Sequence, residues 1–489
     1  MPVCDKNGLT HLAGAGAAGA SAAYFLQERT EYSIPTEVVI FERFSHIGGR
    51  AKTVPGDGDR FNAVEVGTSD FSDDDSILNS LMRDVGLQPQ YTEAALSGAL
   101  GVWNGSAFRY SQKGGESAWW SFVKLAWEYG SAPLYTQRLV DRTMEGLRSD
   151  LERGFHTYKS VAEFVGRNTL NVTTTTLAEP YLQQHGISRP FTIDIIQAAT
   201  QAIYVQDLDA VHGFAAISAM ANWRLFDRMI KLSESRKRLN TKVTTITRHD
   251  NGTFSLSWAA ASSAATDGNA QSQTELFDIV IIAAPFHQAD ITISPPLHRT
   301  PPLTSYRAQH ITVFTTPHPL SASSLSLPPN TAVPDTIWTT PGFGTQPLPF
   351  SGLTKRETEN REGCVVYGEY TYTLVSSKRI SDAAITQLLD LSVDTFPYRP
   401  TPPIEIGYPN PEYGPIRWIH REVWPHAYPL LKPQKNSDVD DIPIELAPNL
   451  YYTSGAESVL GSSLELSAYM GRNVAELLWS NRWVPEVEP

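Results

Sequence analysis

The chain has few cysteines, no long apolar run and a deficit of positive charge, and each of these shortages excludes a class of protein. Its two cysteines, Cys4 and Cys364, exclude a disulfide framework and a cysteine-rich metal site, and they leave open one bridge between them. No apolar run approaches the ~20 residues that span a bilayer, so we expect no transmembrane segment. The formal net charge of −13 would repel a phosphate backbone, so we expect no nucleic-acid partner.

The beginning of the 489-residue chain has the pattern of a strand, a glycine turn and a helix. Residues 10–13 form the strand, the turn reads GAGAAG, and residues 20–28 carry Ala and Leu at helical spacing. Further strands are predicted at 38–42 and at 278–285, where DIVIIAAP is typical of a buried parallel strand. The sequence therefore predicts an α/β fold.

The glycines of the first turn have the spacing of a dinucleotide-binding motif. Gly14, Gly16 and Gly19 form G-x-G-x-x-G, with Ala18 inside it. Such glycines permit a tight turn, a close approach of the backbone to a pyrophosphate, and close packing of helix on strand. The alternative interpretation is a chance match in an Ala/Gly-rich helix.

An acidic residue and a second glycine motif follow at the positions that a nucleotide requires. Glu42 ends the next predicted strand, where its carboxylate can accept hydrogen bonds from an adenosine ribose, and Arg43 lies beside it. Gly49 and Arg50 belong to the GGR motif of FAD enzymes built like amine oxidases. Its glycines pass the pyrophosphate and its Arg supplies charge, which favours FAD over NAD.

Other candidate cofactor contacts lie later in the chain. Val243, in the predicted strand TKVTTI, would present its backbone to the adenine, and Gly67 with Thr68 would line the flavin edge. The tail predicts a loop followed by a helix whose amino end faces the flavin ring, and a helix dipole there favours negative charge. Its candidate contacts are Gly455, Glu457 and Ser463.

With these motifs in place, the chain resembles the prenylcysteine oxidase (prenylcysteine lyase) family. The similar segments, in the family's order, are FERFSHIGGR, WWSFVKLAWEYG, DIVIIAAP, HITVFTTPHPL, WPHAYPLLKP and the tail YYTSGAESVLGSSLELSAYMGRNVAELL. The resemblance implies FAD-dependent oxidation of the thioether carbon of a prenylcysteine by dioxygen, which gives an aldehyde, cysteine and hydrogen peroxide. It also implies a lysosomal, vacuolar or extracellular location.

The resemblance further implies a domain organisation. We expect a Rossmann-like FAD-binding domain of the amine-oxidase/GDI-like kind, assembled from residues 1–75, 205–295 and 440–489. Residues 76–204 and 296–439 would form an interleaved α+β substrate lobe, with the active site between the two.

One segment departs from the family pattern. QAIYVQ resembles the family stretch Arg-x-Asn-Tyr-Gly-Gln, but Gln201 and Ile203 replace its Arg and Asn. Loss of this cation predicts a hydrophobic substrate without a carboxylate to anchor. The candidate catalytic residues are those polar groups of this segment and of WPHAYP that remain, namely Tyr204, Gln206, His426 and Tyr428.

Three alternatives stay open at this point. A related oxidase or isomerase of a secondary-metabolite pathway would act on a substrate without a thioether. A non-catalytic carrier of prenyl groups would share the nucleotide fold without FAD, against which Glu42 and GGR argue. A scaffolding protein would have no use for the pyrophosphate glycines.

Overall fold

The computed structural model describes residues 8–30, 36–56, 63–67, 81, 84, 99–152, 156–219, 236–261, 273–341, 348–359, 365–391, 415–435 and 442–483. Cys4 and Cys364 lie outside these ranges. Within them, no helix has the length and apolarity needed to cross a membrane, and no cluster of His, Cys, Asp and Glu is arranged to hold a metal ion.

Strands and helices alternate along the described chain. The strands are β1 Gly8–Ala13, β2 Thr36–Phe41, β3 Thr53–Val54, β4 Val64–Glu65, β5 Leu100–Trp103, β6 Phe108–Gln112, β7 Arg236–Arg238, β8 Thr241–Arg248, β9 Phe254–Ala260, β10 Gln273–Phe277, β11 Ile279–Ile282, β12 Thr292–Ser294, β13 Tyr306–Thr316, β14 Thr336–Thr339, β15 Gly352–Glu359, β16 Val365–Ser376, β17 Trp418–Pro429, β18 Glu445–Ala447 and β19 Leu450–Tyr452. The helices are α1 Ala17–Thr30, α2 Ala118–Tyr129, α3 Ala132–Glu152, α4 Val161–Arg167, α5 Asn171–Thr175, α6 Ala178–Gln184, α7 Arg189–Phe191, α8 Gln197–Tyr204, α9 Gly213–Ser218, α10 Phe286–Ala289, α11 Asp382–Leu388, α12 Glu457–Leu460 and α13 Leu464–Trp483. A π-helical turn, Thr192–Ile196, joins α7 to α8, and Ser323–Leu325 is a 3₁₀ turn.

The nucleotide half is built on a six-stranded sheet in the order β18-β19-β11-β1-β2-β7. Its central strand β1 pairs in parallel with β2 and β11, as the α/β prediction requires. Strand β2 alternates, with Val38 and Ile40 in the core beside α1 and with Val39 and Phe41 in the core on the opposite face. A sheet covered on both faces explains why β11, which reads IVII, and the second half of β2 are apolar at every position.

The first and last helices of the described chain cross in direct contact. Ser21 Oγ donates a hydrogen bond of 2.6 Å to the carbonyl of Ala468. A Cβ atom at Gly471 would lie 2.3 Å from the carbonyl oxygen of Ala18, so only glycine permits this approach. Helix α13 thereby brings its amino end to the glycine turn at the start of α1.

Helix α1 begins earlier than predicted, inside the glycine motif. The sequence predicts a helix from residue 20, whereas α1 begins at Ala17. Gly19 is therefore a helical residue, and its lack of a side chain serves packing, because a Cβ there would lie 2.0 Å from the carbonyl oxygen of Gly14. Strand β2 likewise ends at Phe41, one residue before Glu42.

The described residues also form a four-stranded sheet, a seven-stranded sheet and the two-stranded sheet β3-β4. The four-stranded sheet, β10-β9-β8-β12, shares a core with Phe41 and Val280 of the six-stranded sheet. The seven-stranded sheet, β17-β13-β16-β15-β14-β5-β6, is built from strands that lie within 76–204 and 296–439. The strands of the six-stranded sheet lie within the other three predicted segments. The boundaries of the domains stay a prediction.

Candidate cofactor and active site

A cleft of about 230 Å³ opens at the carboxyl ends of β1, β2 and β11. Open α/β sheets bind their ligands at this edge. The described residues that line the cleft are Ala13, Gly14, Gly16, Ala17, Ala18, Phe41, Glu42, Arg43, Phe44, Gly48, Gly49, Arg50, Ala51, Thr241, Lys242, Val243, Ala283, Ala284, Pro285, Gln288, Ala289, Ile291, Trp424, Pro425, His426, Ser454, Glu457, Ser462, Ser463, Leu464 and Ser467.

The glycines of the turn differ in whether the fold itself requires them. Gly14 has a φ of +115°, and a Cβ there would lie 2.6 Å from the carbonyl oxygen of Ala283. At Gly16 a Cβ would contact nothing closer than the Cα of Gly49, at 3.9 Å. The protein itself therefore does not need glycine at position 16. A ligand that approaches the backbone at Gly16 does require glycine at this position.

Glu42 is held at the rim of the cleft by two backbone amides. Its Oε2 accepts a hydrogen bond of 2.8 Å from the amide of Ala15, and its Oε1 accepts one of 2.9 Å from the amide of Phe44. A carboxylate has about four acceptor positions, so the two oxygens can still accept bonds from ribose hydroxyls. Arg43 points to the exposed side, where its Nη1 donates to the carbonyl of Gln288.

Val243 lines the cleft near Glu42, because the amide of Thr241 in the same strand donates a hydrogen bond of 2.8 Å to the carbonyl of Glu42. It belongs to β8, its side chain is buried in the core between the two sheets, and the residue lines the cleft beside Lys242. The side chain of Lys242 is bonded to Asp290 Oδ2 at 2.6 Å.

Arg50 joins the glycine motif to two distant segments. Its Nη1 donates to Glu457 Oε1 and to the carbonyl of Ala427, both at 2.6 Å. Burial alone would lower the pKa of Arg50, but the Glu457 carboxylate raises it above its ordinary value, so the guanidinium stays charged. The sequence places Arg50 at the pyrophosphate. The structure places it in the wall between that site and strand β17.

The amino end of α13 also lines the cleft, beside the start of α1. Ser463 Oγ accepts a hydrogen bond of 3.0 Å from the amide of Leu466 and so caps the helix. Ser462, Leu464 and Ser467 line the cleft beside it. The positive end of the 20-residue helix α13 thereby faces the cleft.

Three residues predicted to contact the cofactor, Gly455, Gly67 and Thr68, are not among the described residues that line the cleft. Gly455 is packed against Ile442 and is not among the described residues that line the cleft. Gly67 packs closely against the backbone of Arg50. A Cβ atom at Gly67 would lie 1.9 Å from the carbonyl oxygen of Arg50. Thr68 lies outside the described residues.

The candidate catalytic residues divide into one in the cleft and three behind its wall. His426 is exposed, lines the cleft and makes an edge-to-face contact with Tyr306. Tyr204 and Tyr428 are buried and meet edge-to-face at 5.2 Å. The Tyr204 hydroxyl is bonded to Ser218 Oγ at 2.9 Å, and burial raises its pKa, so it stays protonated.

The side-chain amide of Gln206 is hydrogen-bonded to backbone groups. Its Nε2 donates to the carbonyl of Pro429 at 2.9 Å, and its Oε1 accepts from the amide of Leu431 at 3.0 Å. These bonds fix the end of β17, which carries His426 and Tyr428. This geometry supports a positioning role for Gln206, and its contact with substrate stays a prediction.

The residue that replaces the family's Arg does not face the cleft. Gln201 is buried, and its Nε2 donates to Asp207 Oδ1 at 2.7 Å. Val205 has a φ of +54°, a conformation that a β-branched residue rarely adopts. Glycine stands at this position in the family motif, so the backbone supports the alignment of Tyr204 and Gln206 with that motif.

Several site residues were not predicted from the sequence. Lys52 Nζ bonds Glu422 Oε2 at 2.8 Å, and His420 Nε2 contacts the same oxygen at 3.1 Å. Burial opposes ionisation of Glu422, but these neighbours hold its pKa below the usual range. Trp424 lines the cleft next to this group and donates to the carbonyl of Val66 at 2.8 Å. Of these residues, only Trp424 lies in a segment that the sequence marks as a candidate site, namely WPHAYP.

Comparison with known proteins identifies the family. The model of the prenylcysteine lyase family matches residues 112–488, and that of an NAD(P)-binding Rossmann-like domain matches residues 13–85. The chain belongs to the prenylcysteine lyase family. Human prenylcysteine oxidase 1 is 25% identical over 501 residues, which cover 96% of this chain and 88% of the human protein. Farnesylcysteine lyase of Arabidopsis thaliana is 23% identical and covers 97% of this chain and 89% of its own.

Solved structures show the same fold at low identity. Cyclohexylamine oxidase from Brevibacterium oxydans has a TM-score of 0.60 at 13% identity, and it covers 97% of this chain and 99% of its own. A fatty acid isomerase from P. acnes has a TM-score of 0.58 at 12% identity, with coverages of 98% and 99%. These confirm the α/β flavoprotein fold. Membership of the prenylcysteine lyase family makes the chain an oxidoreductase.

Proposed function

We propose that the protein is an FAD-dependent oxidase that acts on a hydrophobic, isoprenoid thioether-like molecule and passes the electrons to dioxygen. One observation carries the cofactor assignment. A single cleft runs past the glycine turn, Glu42 and the amino end of α13, which packs beside the start of α1. A dinucleotide whose second half is a ring system would lie along this whole length.

The residues of the cleft fit FAD. Gly16 leaves its backbone open to a pyrophosphate, and Glu42 keeps acceptor positions for the ribose. Val243 and Lys242 would hold the adenine end, and Ser463 would direct the amides of α13 at the flavin ring. Bound FAD would supply the hydride acceptor for the reaction.

The charges near the cleft favour a substrate without a carboxylate. Among the described residues, Arg50 is paired with Glu457, Lys52 with Glu422 and Lys242 with Asp290. Gln201 bonds Asp207 instead of facing the cleft. A carboxylate would have to compete with one of these acids for its cation, which disfavours binding.

The protein's own contribution to such a reaction is orientation and exclusion of water. Trp424 would form an apolar wall at the flavin end, with Tyr204 and Tyr428 packed behind it, where the protonated hydroxyl of Tyr204 adds no charge. His426 is exposed beside that wall and is the described residue best placed to exchange a proton with solvent.

A second candidate is oxidation or isomerisation of a metabolite without a thioether. The paired cations that disfavour a prenylcysteine carboxylate favour this alternative equally. A carrier without FAD is the weaker hypothesis, because Gly16, Glu42 and Arg50 line the cleft where a dinucleotide would bind. Following the family, we also propose a lysosomal, vacuolar or extracellular location.

The test compares three substrates that differ at one group. Purified protein is mixed without oxygen with farnesylcysteine, with its methyl ester and with farnesyl methyl sulfide, and bleaching of the flavin absorbance is followed. We expect the two compounds without a carboxylate to bleach the flavin at least about tenfold faster than farnesylcysteine. Farnesylcysteine as the fastest of the three, with peroxide released on admission of air, would contradict the uncharged substrate. No bleaching by any of them would favour the metabolite alternative.

A further inference from the structure

Helix α2 presents a row of aromatic side chains to solvent. The exposed fractions are 71% for Trp119, 49% for Trp120, 40% for Phe122 and 92% for Trp127. These four residues are called the aromatic face. Large aromatic residues are normally buried, so three indoles exposed on one 12-residue helix require an explanation.

The opposite side of α2 is firmly attached to the substrate lobe. Tyr129 is buried, donates from its hydroxyl to Asp194 Oδ2 at 3.2 Å, and meets the ring of Phe191 edge-to-face. Ser117 caps the first turn by accepting a hydrogen bond from the amide of Trp120. The aromatic face is thus displayed by a helix whose position is fixed.

We propose that the aromatic face is a docking site for the zwitterionic surface of a lipid layer. Indole combines an apolar body with one N–H donor, which suits it to the boundary between headgroups and acyl chains. The four aromatic residues lie on a single helix, whereas a partner protein that inserts a helix or strand needs a groove or a sheet edge.

Charge decides which lipids fit. None of the four residues of the aromatic face is charged, and Lys124 at its flank is paired with Glu116. The chain as a whole has a net charge of −13, which would repel an anionic layer. Phosphatidylcholine, which has no net charge, is therefore the matching surface.

The apolar interior connects this face with the cleft. Leu125 and Tyr129, on the inner side of α2, belong to the same hydrophobic cluster as Tyr204, Tyr428 and Trp424. A hydrophobic molecule taken from a lipid layer would therefore meet apolar side chains between α2 and the flavin end. This route depends on the proposed function. Docking to lipid does not, and it is tested without cofactor or substrate.

The experiment is flotation of the full chain with phosphatidylcholine vesicles. The variant Trp119→Gln/Trp127→Gln removes the two most exposed indoles, and we expect its partition into vesicles to fall at least about tenfold. The control Leu276→Gln/Leu303→Gln removes side chains that are 59% and 76% exposed elsewhere, and it should float like the unchanged protein. Thermal unfolding establishes that each variant is folded.

Salt and lipid charge complete the test. We expect flotation to persist when salt is raised, because screening affects charge pairs and not apolar burial. Added phosphatidylserine should not strengthen it. Absence of flotation, equal flotation of the tryptophan variant, or release by salt would each overturn the proposal. A dimer that only the tryptophan variant dissociates, without flotation of the unchanged protein, would show instead that the face joins two copies of the chain.

Discussion

The parts of the cleft that we propose to bind adenine and flavin, called here the adenine end and the flavin end, are held by contacts that span very different distances along the sequence. At the adenine end, Gly19 packs on Gly14, and Glu42 binds an amide only 27 residues away. At the flavin end, Arg50 binds Ala427 and Glu457, which are 377 and 407 residues away. One end is specified by a short motif, and the other exists only after the two halves of the chain have met.

The largest expected effect separates two glycines of the same motif. Gly16→Val should leave the protein folded but remove its flavin almost completely, because the new side chain contacts little protein and projects into the cleft. Gly19→Val should prevent folding, because its Cβ would lie 2.0 Å from a carbonyl oxygen. Flavin absorbance and thermal unfolding of both variants measure this. Flavin retained by Gly16→Val would show that no ligand approaches that backbone.

The next effect concerns acid stability at the flavin half. His212 is buried, with its Nδ1 accepting from the amide of Ala215, and burial lowers its pKa from 6.5 to about 4. The unfolded chain therefore takes up the proton first as the pH falls. The free energy of unfolding should decrease from about pH 6.5 to about pH 4, by up to about 3 kcal/mol, and then level off.

Urea unfolding across this pH range provides the measurement. His212→Gln keeps an acceptor for Ala215 but cannot titrate, so it should flatten the dependence. An unchanged slope in this variant would assign the acid sensitivity to other groups.

Substitution of Arg50 should have a smaller effect than the changes above, and it should affect both flavin retention and protein stability. Arg50→Ala removes a charge-assisted contact worth about 1.5–3 kcal/mol, so we expect about 10- to 100-fold weaker flavin retention. It also leaves the buried carboxylate of Glu457 without its guanidinium. The double variant Arg50→Ala/Glu457→Gln should regain thermal stability without regaining flavin. Arg189→Ala, which breaks an exposed pair with Glu179 away from the described lining of the cleft, is the control and should change little.

Two outcomes would revise this role. Full flavin content of Arg50→Ala after dialysis would make Arg50 a structural residue only. Recovery of flavin by the double variant would show that Arg50 acts by neutralising Glu457 and does not contact the cofactor.

The smallest effect contrasts a second buried histidine with His212. His11 lies in β1 between the rings of Phe41 and Phe277, and neither of its nitrogens has a hydrogen-bond partner. Burial and then Arg238 lower its pKa well below the ordinary value. His11→Leu should raise the free energy of unfolding by about 1 kcal/mol at pH 7, because it relieves an unsatisfied polar group. A loss of stability in chemical unfolding would reveal a partner for His11.

The difference in sequence separation between these contacts also explains which parts of the fold and of the site could be predicted from the sequence. The glycine turn, Glu42 and the parallel strands follow from local pattern, and the α/β fold is confirmed. The bonds of Gln206 to Pro429 and Leu431 span 223 and 225 positions, so no local pattern shows that its amide is occupied. Gln201 was interpreted as a lost anchor, yet its side chain turns to Asp207, a contact that only the helix geometry of α8 decides.

The most direct test of the account is the identity and amount of the bound cofactor. Purified protein should be yellow, and heat denaturation should release about one FAD per chain, identified by chromatography against FAD, FMN and NAD standards. Added FAD should raise the unfolding temperature of any fraction that lacks it. A folded but colourless protein that takes up no FAD, or one that releases NAD instead, would contradict the central claim.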